Sequence, residues 1–209
     1  MEQPPEKKGL PRGNVIGFVA PLVSLLCILI ATTISPNFDW LDNALSDLGS
    51  WYRTDLGDLQ IISAILFNGG LILTGILTIY FTIWMMRRLN DKPTKIGFGI
   101  FLGPSLFLIG VGIFSEDFTL THVLSAVFFF FSIPISILIT GLVLLRLREM
   151  RVVGLVSILF TVLSLGIMFQ PWIFLSVAIF ETLEAFVLLG WIWFVNIIDL
   201  RGGFSSIQL

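Results

Sequence analysis

The sequence predicts an all-α integral membrane protein with six transmembrane helices, both termini cytoplasmic, and a short amphipathic interfacial helix in the first outer loop. Three observations carry this reading. The chain is 56% hydrophobic and 12% charged, with a mean hydropathy of +0.98, whereas soluble domains have about a quarter of their residues charged. Six apolar stretches, 14–35, 61–86, 96–114, 122–145, 152–170 and 173–195, approach or exceed the roughly 20 residues needed to cross about 30 Å of hydrocarbon. Eleven of the twelve Lys and Arg fall on one side of those spans, the bias that marks a cytoplasmic face.

In order, residues 1–13 read as a disordered cytoplasmic tail, polar and carrying Pro4, Pro5, Pro11, Lys7, Lys8 and Arg12. The first apolar run is too long for a signal-peptide core and lacks a small-residue cleavage site, so an uncleaved first span is expected. The loop after it holds only Arg53. Arg87, Arg88, Lys92 and Lys95 follow the second span, and Arg146, Arg148 and Arg151 follow the fourth. The third span carries five glycines, of which Gly99 and Gly103 form a small-xxx-small pair suited to close helix contact. Pro21, Pro104 and Pro134 are expected to kink their helices. The Phe128–Phe131 run reads as a lipid-facing or packing patch. Trp40, Trp51 and Trp172 are expected at the outer headgroup level and Trp84, Trp191 and Trp193 at the inner one. Residues 14–200 form one membrane domain, and 201–209, with Arg201, a cytoplasmic tail. Multi-pass insertion in the plasma membrane follows. The sole cysteine, Cys27, excludes an intrachain disulfide, and a formal charge of −2 gives no basic surface for nucleic acid.

The chain is organised around Asp39–Tyr52. Trp40, Leu41, Ala44, Leu45 and Leu48 make one apolar stripe at helical spacing, with Asp42, Asn43, Ser46 and Asp47 opposite, which reads as a helix over Asp39–Leu48. Its polar face meets either water or the mouth of the bundle. Other out-of-place polar residues fall at the same membrane face: Asn68, Glu116, Asp117, His122, Glu181 and Glu184. Asn68 and Glu181 each lie about eight residues inside a span, roughly 12 Å deep, with Glu184 one turn further. A carboxylate at that depth costs roughly 2.5–3.5 kcal/mol unless it faces water or a partner. No span offers Lys or Arg, so protonation, hydrogen bonding, pairing with His122 or a bound cation remain open.

His122 is the only histidine, and with Asp47 or Glu181 it is the candidate for acid–base chemistry. A Ser46–His122–Asp47 triad is disfavoured, because adjacent helical residues point about 100° apart. No spacing matches a zinc motif; a divalent cation is the one cofactor the acids would suit.

The order Asn43-Ala44-Leu45-Ser46-Asp47-Leu48-Gly49, Phe67-Asn68, Gly110-Val111-Gly112-Ile113-Phe114-Ser115-Glu116-Asp117 and His122, with Glu181 later, resembles the prokaryotic membrane family catalogued as domain of unknown function 998. Members often carry proline where Ser115 stands. The first-loop pattern is more distantly similar to the Frag/DRAM/Sfk group, six-span proteins linked to lipid handling. The resemblance implies a fold and no established activity.

Together these features lead to the expectation of an outward-facing polar cavity for a lipid headgroup, small polar ligand or cation, with membrane lipids as partners. The binding candidates are Asn43, Ser46, Asp47, Asn68, Glu116, Asp117, His122, Glu181 and Glu184. The alternatives are a lipid-directed hydrolase or transferase, or a structural or partner-binding protein. No nucleophile motif accompanies His122, which leans the reading away from an enzyme.

Overall fold

The structure is a computed structural model that describes residues 10–170 and 176–207. Most of the expected N-terminal tail and Trp172 lie outside the described residues. Among the described residues, seven α-helices make six spans long and apolar enough to cross a membrane. They are α1 (Arg12–Ile34), α2 (Gln60–Arg88), α3 (Lys92–Ile100) with α4 (Leu102–Ile113), α5 (Leu120–Leu145), α6 (Arg151–Met168) and α7 (Val177–Leu200). No strand occurs among the described residues. α1 packs on α2, α2 on α4, α4 on α5, α5 on α6 and α6 on α7, and α7 returns to α1, so the spans close into a ring.

The third span breaks at Phe101, between α3 and α4. Pro104 explains it: without an N–H it leaves the Ile100 carbonyl without its helical donor, and its ring crowds that carbonyl. The Ser136 hydroxyl lies 3.5 Å from the freed oxygen. α1 and α5 continue through Pro21 and Pro134 as single helices.

Close helix contact falls on other glycines than the expected Gly99 and Gly103. A Cβ on Gly103 would meet nothing within 4 Å, and one on Gly99 only the end of Met86. Gly154 instead sits against the backbone of Gly141, where a Cβ would come 2.7 Å from the carbonyl oxygen, and Gly112 sits equally close to the Asn68 carbonyl. Small residues let α5 meet α6, and α4 meet α2, backbone to backbone.

Trp191 departs from its expected headgroup position. It is 1% exposed, packs on Phe98 and Phe101, and donates to Ser157 Oγ at 3.0 Å. Its indole N–H finds a protein partner in place of interfacial water. The Phe128–Phe131 run serves both expected roles, with Phe128 and Phe131 exposed and Phe129 buried. The segment after α7 is docked, with Phe204 fully buried against Phe98 and the Asn90 N–H donating to the Ile207 carbonyl.

The helix of the first outer loop is shorter than its spacing suggests. The chain turns through Asp39–Ala44 and makes a single 3-10 turn, Leu45–Gly49, whose five residues are all buried. Side chains compete with helical hydrogen bonding here: Asn43 Oδ1 accepts from the Asp39 N–H at 2.8 Å and Asp47 Oδ2 from the Ala44 N–H at 3.1 Å. Leu45 and Leu48 bury themselves in the bundle, while Leu41 stays exposed.

Candidate functional site

Irregular backbone buried in a membrane protein needs a partner for every N–H and C=O. The Asn43–Trp51 segment finds many of them on its neighbours' side chains. From α2, Gln60 Nε2 donates to the carbonyls of Asp47 (3.1 Å) and Ser50 (2.8 Å), Ser63 Oγ to Leu48 (3.0 Å), and Asn68 Nδ2 to Gly49 (2.8 Å). From α7, Glu181 accepts the Leu45 N–H at 2.6 Å. From the turn Glu116–Phe118, Asp117 accepts the Trp51 N–H at 2.8 Å and the hydroxyls of Ser50 (2.6 Å) and Ser115 (2.8 Å). Gly49 is required where it stands, since a Cβ would fall 2.5 Å from Asn68 Oδ1.

A charged group lies outside this plug. Asp47 pairs with Arg53 at 2.6 Å and accepts from Asn43 Nδ2 at 2.8 Å; Arg53 also holds Asp55 at 2.9 Å. Glu116 Oε2 sits 4.0 Å from Arg53 and has no hydrogen-bond partner among the described residues. Burial, and then the neighbouring Asp47 carboxyl, push Glu116 up to about 7. Burial also pushes on Asp117, but its hydrogen bonds from Ser50, Trp51 and Ser115 prevail and hold it below its usual range.

Beneath the plug lies a cavity of about 60 Å³. Its wall comes from α1, α2, α4, α5, α7 and the 3-10 turn. Ile28, Leu45, Phe67, Leu71, Leu108, Val111, Ala126, Phe129, Phe130, Ala185, Leu188 and Leu189 make it mainly apolar; Ser24, Ser46, Thr74, His122 and Glu181 are its polar members. A narrower void continues it toward Ile192 and the α3–α4 break, sharing Thr74, Leu108, Phe129, Leu188 and Leu189. Along α7, Glu181 to Ile192 spans roughly 16 Å at about 1.5 Å per residue.

His122 is buried and its Nδ1 lies 2.7 Å from the Phe114 carbonyl oxygen. A carbonyl only accepts, so Nδ1 carries a proton and donates to Phe114, which leaves Nε2 as the ring nitrogen free for another partner. The structure therefore brings Ser46, His122 and Glu181 together on one cavity. It spends Asn43, Asp47, Asn68 and Asp117 on the plug, and leaves Glu116 at the outer edge. Glu184 does not join them: it is fully buried, with Oε2 accepting from Ser164 of α6 at 2.7 Å and Oε1 without a partner. Three residues along a helix leave about 60° between side chains, enough to send Glu181 and Glu184 to different neighbours. No group of three or more His, Cys, Asp or Glu stands together as a metal site among the described residues.

A family model described as a protein of unknown function, DUF998, matches residues 18–197. The chain belongs to DUF998. No curated protein and no solved structure matches it. In this DUF998 chain the sequence reading overlooked Gln60 and Ser63, which hold the plug. It also overlooked an inner cluster in which Asn14 Nδ2 donates to Asn196 Oδ1 and Asp199 Oδ2, both at 2.9 Å, and Arg88 pairs with Asp199 at 2.9 Å. Asn14 and Asn196 were visible as amides inside apolar runs, the signal that singled out Asn68.

Proposed function

We propose that this protein binds a membrane lipid, with an acyl chain in the apolar part of the cavity and the head beside Ser46, His122 and Glu181. The observation that carries the reading is the wall itself: twelve apolar residues, with three polar ones gathered under the buried plug. The apolar wall favours an amphiphile over the free polar ligand or cation also expected from sequence. The protein sits in the plasma membrane with both termini cytoplasmic, so the plug faces outside.

The test is lipid retention. Purified protein should carry lipid in native mass spectra, and Ala185→Trp, which fills the cavity from α7, should empty it without unfolding the bundle. Equal retention by both proteins would move the lipid to the outer surface of the helices and sink the proposal.

A second reading, lipid-directed hydrolysis or transfer, draws on His122. With Nδ1 committed to Phe114, Nε2 is the basic nitrogen, as a general base requires. Turnover of membrane lipids by wild type and not by His122→Gln would put this reading first.

A further inference from the structure

The polar atoms on the cavity wall are unequal in hydrogen-bonding sense. Most donors are already spent. Ser24 Oγ donates to the Pro21 carbonyl at 3.1 Å and Thr74 Oγ1 to the Ala20 carbonyl at 3.3 Å. His122 Nδ1 is held by Phe114 at 2.7 Å. The backbone N–H of Leu45, which could have contributed to an anion site, is turned onto Glu181. What is left facing the space is His122 Nε2, the Glu181 carboxyl group and the Ser46 hydroxyl.

No Lys or Arg lines the cavity among the described residues. Arg53, the one basic residue of the outer loops, is engaged by Asp47 and Asp55 at 2.6 and 2.9 Å. An anion moved into this space would lose its hydration with no cation to replace it.

From this arrangement we infer that the cavity selects a lipid whose head donates hydrogen bonds, through a hydroxyl or an ammonium group, and rejects a phosphate head. The inference rests on the lipid-cavity reading above and adds the chemistry of the head. A glycerol hydroxyl or an ammonium would donate to His122 Nε2 and Glu181 while its chain follows the apolar wall.

The test uses the full-length purified protein and three single-chain probes with the same hydrocarbon tail: 1-monooleoylglycerol, oleoyl lysophosphatidic acid and oleylamine. Binding is read by native mass spectrometry. The monoacylglycerol or the amine should bind at least about tenfold more tightly than the lysophosphatidic acid, a modest ratio for leaving a buried anion unpaired. The monoacylglycerol ahead of the amine assigns a hydroxyl head; the reverse assigns an ammonium head. Glu181→Gln, which still accepts from Leu45 but turns an amide donor to the cavity, should narrow the ratio. Lysophosphatidic acid bound as tightly as the others by wild type, or a ratio unmoved by a folded Glu181→Gln, overturns the inference and leaves the lipid cavity standing. Retention of none of the three, or retention indifferent to Ala185→Trp, overturns the cavity reading and this one with it. The wild-type comparison needs no variant to fold.

Discussion

Glu181 shows how one side chain serves both the fold and the cavity. It takes the Leu45 N–H, so removing it strands a buried backbone donor. Glu181→Ala should lower stability by about 1–3 kcal/mol, and Glu181→Gln, which keeps an acceptor, by less; thermal unfolding in detergent reads both. Glu116 makes a different prediction. Its ordinary value of 4.5 rises to about 7 in the folded protein, so between those values the folded state holds a proton that the unfolded chain has released. Its contribution to stability is present below about 4.5 and lost as pH rises through 7. Glu116→Gln stays neutral throughout. The melting temperature of this variant relative to wild type should therefore climb between about pH 5 and pH 8, and a flat difference would place the titration elsewhere. Sequence depth alone picked out Glu181 and Asn68 as residues needing partners. It could not say that the partners are backbone groups of the first loop, because those contacts join residues more than a hundred positions apart or depend on a loop conformation set by Asn43 and Asp47.

At the scale of elements, the spans were legible and their contacts less so. Apolar length and the Lys/Arg bias mark each crossing from local composition alone. Glycine spacing does not reveal which face of a helix meets a neighbour, so the Gly99–Gly103 pair stood out while Gly154 against Gly141 did not. The two kinds of glycine should separate in mutagenesis. Gly154→Ala pushes a methyl group onto the Gly141 carbonyl and should cost about 1–3 kcal/mol. Gly103→Ala has open space around it and should be neutral or slightly stabilising, since alanine favours helix over glycine by about 1 kcal/mol. Equal losses in the two variants would refute backbone-to-backbone contact between α5 and α6. The shortened first-loop helix has a similar cause. Its stripe of apolar residues is real, but the Asp47 side chain takes the Ala44 N–H that an α-helix would give to Trp40.

For the whole molecule, the Lys/Arg bias supports the proposal that both termini are cytoplasmic and the first loop lies outside. Ser50 sits in the outer loop by sequence but is buried, its hydroxyl bonded to Asp117, so a reporter there would be shielded. Tyr52, 82% exposed, is the better position. In a Cys27→Ala background, Tyr52→Cys should react with an impermeant maleimide on intact cells, and labelling only after permeabilisation would reverse the topology.

The plug also constrains the order of assembly. Its segment leaves the ribosome soon after α1, yet Glu181 lies 136 residues beyond Leu45, the residue it holds. Through the insertion of the intervening spans the loop has part of its polar backbone unanswered by protein and must stay hydrated outside the bilayer. The Leu45 N–H is thus answered only once α7 has entered, after the contacts from α2 can already form. A nascent chain truncated before α7 should leave the outer loop more open to protease than a chain that carries α7. The loop thereby reports whether α7 has joined the bundle.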